Sequence, residues 1–586
     1  MELAGKTSGG SGSANGAASI GELRNQQPKT PQLQIYEQGE TQNKVQASFG
    51  GIILYSAGMF ARTCTRCLAR PRAGVLRTNV ASMRAQRRAF GTAPSGASTG
   101  AASGSGLSVG TLMPIVSELD RMAPSFDLRG ENIRVIKTPA EFYETLKDRI
   151  RNAKQRIFLS TLYIGKSEKE LIDTIQDAMR RNPQLKLSIL TDCLRGTREA
   201  PNPSCASLLA PLVTEFGADR VEVRMYHTPN LTGLRKKYIP NRINEGWGLQ
   251  HMKLYGVDDE IIMSGANLST DYFTNRQDRY HLFSSKEVTE HFWRIHNGVG
   301  SFSFLVQPSQ EDAGFTLTWP SANSAPSPLE DPQAFIKSSS QTLRKLVAPQ
   351  AEQLPKGDLS NTRVYMLGQF SQVMQPDHST ELPVVTHILK QLALPEYQGS
   401  SWTFTAGYFN PAPSLTKLLI GTASTNNTVI TASPEANGFY KSKGVSGLLP
   451  DAYVLLARRF LDNINQNRRE NDITLKEWRF GTVGHPGGWT YHAKGLWVTM
   501  PGDTTPSMSI IGSSNYTKRS YSHDLEVGAL IVTRDETLKK QLGDEQTWLQ
   551  EHSKKVTRDD FAKNERRVGL KVRIAMWIVS LVGGAL

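Results

Sequence analysis

The chain has 586 residues, a formal net charge of +14 from 68 Lys and Arg against 54 Asp and Glu, and only four cysteines. So few cysteines in so long a chain exclude a disulfide framework and fit a reducing compartment, and the lack of any run of about twenty apolar residues argues against a membrane-spanning helix. Eight arginines (62, 66, 70, 72, 77, 84, 87 and 88) stand between Met59 and Phe90 with no Asp or Glu among them, which leaves about +6 beyond residue 90 and speaks against a nucleic-acid-binding surface.

Residues 1–58 are rich in Gly, Ser and Gln, and their four basic and four acidic residues cancel. They read as a disordered extension, possible gene-model excess, with Met59 as the expected start. Residues 59–90, rich in Arg, Ala and Ser and free of acid, have the composition of a mitochondrial targeting peptide, and Arg88-Ala89-Phe90 resembles a processing site. A Ser/Gly/Ala spacer follows over 91–114.

Residues 115–306 read as a first α/β half. Its expected elements are helix Ala140–Asn152, strand Ile157–Ile164, helix Glu168–Arg180, strand Leu185–Thr191, helix Ser207–Phe216 and strand Arg220–Tyr226. Thr138-Pro139-Ala140-Glu141 is a capping box with proline at the first helical position. Pro, Ser and Gln mark 307–361, with an intervening helical patch, as a linker. Residues 362–560 repeat the order: helix Pro383–Leu392, strand Trp402–Tyr408, a short helix near Leu415–Ile420, strand Thr428–Thr431, helix Asp451–Gln466 and strand Ile473–Phe480. In 561–586, Arg566, Arg567, Lys571 and Arg573 precede thirteen mostly apolar residues, too short to span a bilayer and suited to interfacial attachment to anionic lipid.

Each half then carries the same motif. His251-Met252-Lys253 is followed by Ile261-Ile262-Met263 and Asn267, and His492-Ala493-Lys494 by Met508-Ser509-Ile510-Ile511 and Asn515. In a strand, residues two apart share a face, so each His and Lys point together while the hairpin turn brings the Asn to them. Two histidines with two ammonium groups and two amides suit metal-free cleavage of a phosphodiester. One imidazole attacks phosphorus and the other protonates the leaving oxygen, while the cations and amides hold the equatorial oxygens. Neither hairpin supplies both histidines, so the site is expected where the halves meet.

These motifs resemble the phospholipase D superfamily, with its HxK(x)4D signature and Gly-Ser-x-Asn-like turn. His251, Lys253 and Asp258 fit directly; the second copy has Thr499 where the aspartate belongs, with Asp503 in the nearby turn, and its asparagine lies 23 residues from the histidine instead of 16. Within the superfamily the chain is similar to eukaryotic, mitochondrial phosphatidylglycerophosphate synthases. That resemblance rests on Leu190-Thr191-Asp192, Arg195-Gly196-Thr197-Arg198, Gln250 to Lys253, Asn275 to Tyr280 and Ser433 to Phe439.

It implies two phospholipase D-like α/β sandwich halves related by a pseudo-twofold, with transfer of a phosphatidyl group from CDP-diacylglycerol to glycerol 3-phosphate. The alternative is another phosphodiesterase of the superfamily, phosphatidylserine synthase-like or nuclease/tyrosyl-DNA phosphodiesterase-like. The implied roles give His251 as nucleophile and His492 as acid and base, with Lys253, Lys494, Asn267 and Asn515 on the phosphate. Asp258 and Glu526 orient histidines, the latter across the interface.

Arg195 and Arg198, and Lys441 and Lys443 in the corresponding loop, stand at strand ends where α/β sheets bind ligands and are expected to hold the substrates' phosphates. Gly165-Lys166-Ser167 also precedes a helix and is a weaker nucleotide candidate, because Ser160 stands where a phosphate loop needs its first glycine. No cofactor is required for a phosphohistidine route and no metal-ligand spacing occurs, although a divalent ion accompanying the nucleotide is compatible with the sequence. The expected place is the matrix face of the mitochondrial inner membrane, peripheral to its anionic surface, with no nucleic-acid partner.

Overall fold

The computed structural model describes residues 105–241, 243–349 and 360–581. The expected extension, the targeting peptide and much of the spacer lie outside these residues, as do 350–359 of the linker and the end of the tail.

The alternation read from the sequence builds two nine-stranded mixed sheets. The first runs, in spatial order, Phe315–Thr318, Phe304–Pro308, Val221–Tyr226, Lys186–Asp192, Arg156–Ser160, Leu254–Val257, Glu260–Ser264, Tyr280–Ser284 and Ile133–Ile136. The second runs Ser125–Leu128, Thr362–Gln369, Glu526–Thr533, Met508–Gly512, Lys494–Thr499, Ser401–Ala406, Asn427–Ala432, Ile473–Trp478 and Ser553–Lys555. Read in opposite directions, the orders superimpose strand for strand apart from one edge each. Three parallel strands give way to an antiparallel hairpin in both, so the duplication reaches well beyond the motifs.

The helices form where apolar residues recur at helical spacing. Lys169–Arg181 buries Leu171, Ile172, Ile175, Ala178 and Met179. Pro139–Arg151 starts at Thr138, whose hydroxyl accepts from the Glu141 N–H (3.1 Å) while the Glu141 carboxylate accepts from the Lys137 N–H (3.0 Å). Such helices cover the outer face of each sheet in two separate apolar cores, and a third core joins the inner faces of both sheets through Phe158, Met252, Phe292, Phe335, Met366, Trp497 and Ile531.

Two boundaries differ from the composition-based reading. Residues 307–349 of the expected linker contain strand Phe315–Thr318, an edge of the first sheet, and helix Pro332–Val347, which buries Phe335, Ile336 and Leu343 in the central core. The helix is the helical patch read inside the linker; polar composition hid the strand and the packing of both, because only one face of each is covered. The start of the first half, in turn, packs with the second: helix Ser105–Met122 buries Ile115 and Leu119 among Val384 and Ile388, and Ser125–Leu128 pairs with Thr362–Gln369. Arg363 fixes this crossing through Asp127 (2.7 Å) and Asp120 (2.8 Å).

The halves are also locked by a buried ionic network. Arg279 forks onto Glu545 (3.0 and 2.8 Å), donates to the Ile510 carbonyl (2.6 Å) and lies 3.8 Å over the Trp497 ring, while His281 Nε2 (3.1 Å) and Trp497 Nε1 (3.1 Å) complete the carboxylate's partners. Burial alone would raise the Glu545 pKa, but Arg279 and His281 outweigh it and hold the group at about 2. Replacing one member of such a network strands the others, so Glu545→Ala is expected to cost about 3–5 kcal/mol of unfolding free energy in a urea titration. A depressed carboxylate stabilises the fold above its unfolded pKa. This contribution is expected to disappear as pH falls from about 4.5 towards 2, a loss that the variant does not show.

Candidate active site

Each HxK motif leads into its hairpin instead of lying within a strand. Ordered pairing begins at Leu254 in one half and Lys494 in the other, because the motif backbone leaves its own sheet for the opposite half. His251 N–H donates to the Leu525 carbonyl (2.9 Å) and His492 N–H to the Gln277 carbonyl (2.8 Å). Both carbonyls belong to the residue that precedes an acid.

Those acids are the partners of the imidazoles, and they are exchanged between halves. His251 Nδ1 lies 2.9 Å from Glu526, as the sequence suggested, and His492 Nδ1 lies 2.7 Å from Asp278, which it did not. Each acid stands eleven residues past its own half's asparagine, Asn267 to Asp278 and Asn515 to Glu526. That shared offset was the available signal. A carboxylate on Nδ1 keeps the proton there and leaves Nε2 free towards the cavity.

Asp258 is a correction. It sits at the distal turn of the first hairpin at φ 52°, where its carboxylate accepts the backbone N–H groups of Lys154 (2.8 Å), Gln155 (2.8 Å) and Arg156 (3.0 Å). It ties a turn to the start of a strand and has no contact with His251. Thr499 in the second copy therefore leaves no gap in the site, and Asp503, bonded to Ser507 (2.7 Å) and near Lys539 (3.4 Å), fills none.

The lysines bind the motifs internally: Lys253 Nζ donates to the His251 carbonyl and Lys494 Nζ to that of His492, each at 2.6 Å. Beyond this the halves differ in the residue two before each asparagine. In the second, Ser513 donates to Glu526 (2.5 Å); in the first, the equivalent residue is Gly265, and Lys494 reaches Asp278 there (3.2 Å). A Cβ at Gly265 would overlap Lys494 Nζ and the Asp278 carboxylate, which accounts for the departure from the usual Gly-Ser order.

The charge states follow. Burial would raise Asp278, but Lys494 and His492 overcome it and keep it below the usual carboxylate range. Glu526, buried and lacking so close an ammonium, is pushed up to about 7, with Lys253 and Ser513 opposing the rise. Burial brings Lys253 down to about 7, and it holds both imidazoles neutral, His492 at about 3 and His251 well below the ordinary value. Among the described residues the Oδ1 atoms of Asn267 and Asn515 are buried without a partner, while the Asn267 amide donates to the Tyr272 hydroxyl (3.1 Å).

Both histidines and both asparagines line one cavity of about 770 Å³ between the halves. Arg195, Arg198 and Lys443 line it as expected; Lys441 does not, its ammonium lying exposed 5.3 Å over the Tyr440 ring. Arg276 and Arg519 line it too and were missed, since a lone arginine in a two-residue strand or a short helix carries no periodic signal. Carboxylates hold these guanidinium groups in place: Glu199 on Arg195 (3.2 Å), Glu245 on Arg198 (2.6 Å), Asp271 on Arg276 (3.1 Å) and Asp524 on Arg519 (3.0 Å). Tyr272 and Tyr408 meet the His492 ring edge-on, each at 5.2 Å, so one side of the cavity is aromatic.

Gly165, Lys166 and Ser167 line a neighbouring cavity of about 260 Å³ that shares Tyr163 and Arg195 with the main one. Their loop is no phosphate cradle. The Gly165 N–H donates to the Leu268 carbonyl (2.8 Å), and the Glu168 carboxylate occupies the helix start while accepting from Thr270 (2.8 Å). Cys193 and Cys205 are buried, and burial raises their thiols to about 12 and about 11.

Comparison with known proteins finds relatives of the chain. Residues 146–298 match a family described as cardiolipin synthase, PLD-like domain. A Saccharomyces cerevisiae protein named CDP-diacylglycerol–glycerol-3-phosphate 3-phosphatidyltransferase is 44% identical over 78% of this chain and 88% of its own. A Homo sapiens protein of that name, further described as mitochondrial, is 34% identical over 77% of this chain and 83% of its own. The crystal structure of a Haemophilus influenzae phosphatidylserine synthase superimposes over 80% of this chain and 97% of its own, with TM-score 0.62 and 20% identity, a likeness of fold.

Proposed function

The chain belongs to the CDP-diacylglycerol–glycerol-3-phosphate 3-phosphatidyltransferase family, with relatives 34–44% identical across about three quarters of its length, and on that premise we propose how its residues divide the reaction. The enzyme transfers the phosphatidyl group of CDP-diacylglycerol to glycerol 3-phosphate and releases CMP, the committed step towards phosphatidylglycerol and cardiolipin. The observation that carries the mechanism is the exchanged pairing of His251 with Glu526 and His492 with Asp278 beside one cavity.

His492 Nε2 takes up a proton from solvent as the diphosphate anion enters; His251 Nε2 then attacks the phosphatidyl phosphorus, the bond to the CMP oxygen breaks, and the His492 imidazolium gives that oxygen its proton. His492 then takes the proton of the glycerol 3-phosphate 1-hydroxyl, whose oxygen attacks phosphorus and frees His251. The shuttling role goes to His492 because a firmly ionised Asp278 favours the imidazolium that forms in passing. Lys253, Lys494 and the two asparagine amides hold the equatorial oxygens as charge develops. The pyrophosphate and the acceptor phosphate fall to Arg195, Arg198, Arg276, Arg519 and Lys443, which lets the chemistry proceed without a cofactor.

The vertebrate relatives are named mitochondrial, and we place this chain in the mitochondrion, peripheral on the matrix face of the inner membrane. No helix among the described residues is long and apolar enough to cross a membrane. Helix Leu570–Leu581 exposes Leu570, Ile574 and Trp577 beside a cavity of about 270 Å³ lined by Arg458, Arg566, Arg567 and Arg573, a composition suited to anionic headgroups.

The direct test is incorporation of labelled glycerol 3-phosphate into lipid from CDP-diacylglycerol in mixed micelles, with CMP release in step. Incorporation of serine instead, or hydrolysis without an acceptor, would overturn the assignment. Because Glu526 accepts from His251 only when ionised, kcat/KM is expected to fall as pH drops through about 7. In Glu526→Gln that acid limb disappears and the rate drops by roughly 10²–10³-fold.

A further inference from the structure

We propose that the segment from Gly233 to Ile243 docks on an anionic bilayer and sets the mouth of the catalytic cavity against it. The proposal rests on the donor substrate being a membrane lipid, as inferred above.

The segment lies between the last parallel strand of the first half and its HxK motif. Its base is fixed: the Thr228 hydroxyl bonds the Trp247 carbonyl (3.2 Å) and Gln372 of the other half (2.7 Å), and Leu231 and Leu249 are buried on either side. Between these anchors the chain turns outward. Helix Gly233–Tyr238 contains no buried residue, and Leu234 and Tyr238, one turn apart on the same face, are 72% and 66% exposed. Ile243 is 44% exposed and lines the catalytic cavity beside Glu245, Gly246 and Leu249, so the apolar surface continues into the site.

The charge beside it has one sign. Arg235, Lys236 and Lys237 are exposed, no Asp or Glu occurs between Thr228 and Asn244, and no ion pair involves these three among the described residues. Exposed large apolar side chains interleaved with unpaired cations suit the boundary between acyl chains and anionic headgroups, where each apolar group and each cation adds to binding. Leu234, Tyr238 and Ile243 are exposed within ten residues of chain, a concentration that single scattered exposures do not give. A docked mouth also answers a physical need, because the diacylglycerol chains of the donor then remain in the bilayer while the pyrophosphate enters the arginine-lined cavity.

The test uses the purified full chain and the variants Leu234→Ser/Tyr238→Ser and Lys236→Glu/Lys237→Glu. Transfer is measured on two donors: long-chain CDP-diacylglycerol in phosphatidylglycerol-containing vesicles and a short-chain, water-soluble analogue. Both variants are expected to lose at least about tenfold on the vesicle donor, the order that one apolar side chain or two surface charges supply, and to stay within about twofold of the parent on the soluble donor. Flotation with the vesicles should fall in parallel, and little of either protein should float with phosphatidylcholine alone.

Unchanged vesicle activity would overturn the proposal, as would equal losses on both donors, which would mean a structural or catalytic role. A change in oligomer size without a change in flotation would assign the surface to a second copy of the chain. Flotation is read without turnover, so a parent that floats and loses this on substitution, yet transfers nothing, would uphold docking and count against the transferase reading.

Discussion

His251→Ala and His492→Ala are each expected to lower transfer by about 10⁴–10⁶-fold, the range seen when an activated nucleophile or its proton carrier is removed. The double variant should be hardly worse than either single one, because the two imidazoles act as a unit. Both rings are buried, so the losses must be measured on protein whose unfolding transition matches the parent's. The singles should also part company in a partial reaction. His492→Ala retains the attacking nitrogen and is expected to release one equivalent of CMP from CDP-diacylglycerol, whose phosphate leaving group needs little protonation, whereas His251→Ala is not.

Asp278→Asn is expected to cost roughly 10³–10⁴-fold in kcat with little change in KM, comparable to the loss when a triad aspartate no longer fixes its histidine's tautomer. The amide can donate to Nδ1 and so drive the proton to Nε2, where it blocks the base role of His492 and leaves Lys494 without its anion. Asp258→Asn makes the contrast. It belongs to the recognisable HxK(x)4D signature, yet its carboxylate meets only the backbone N–H groups of Lys154, Gln155 and Arg156. Its loss is expected to lower the melting temperature while leaving the rate of the folded enzyme within severalfold of the parent. A signature-based reading expects the opposite order, so steady-state rates beside thermal unfolding of the two variants separate the views.

The difference between these aspartates shows what the sequence could and could not convey. Periodic apolar residues announced the alternating helices and strands ahead of each motif to within a few residues, but not helices Lys286–Gly300 and Glu536–Trp548 or strands Thr362–Gln369 and Glu526–Thr533. Paired motifs announced the histidines, lysines and asparagines for the same reason of repetition. Asp278 escaped because its role is defined across the pseudo-twofold, by a histidine 214 residues away, and only the offset from Asn267 links it to Glu526. Arg276 and Arg519 escaped because convergence in space leaves no local pattern. Lys441 precedes Ser442, which lines the cavity, yet is exposed at φ 54°, a backbone choice that spacing does not reveal. In the linker the helical patch was legible, and helix Pro332–Val347 with its proline at the first helical position and its Asp331 cap is there, but its place in the central core and the edge strand Phe315–Thr318 were not.

The central claim is that a covalent phosphatidyl-histidine forms in a site built by both halves. Mixing His492→Ala with CDP-diacylglycerol labelled on the phosphatidyl phosphate, quenching at alkaline pH and locating the label by peptide mass spectrometry tests it most directly. A stable, acid-labile adduct on the peptide containing His251, absent from His251→Ala, is the result expected. Label on the His492 peptide of the parent protein, or full transfer activity with no labelled histidine at any time, would contradict it.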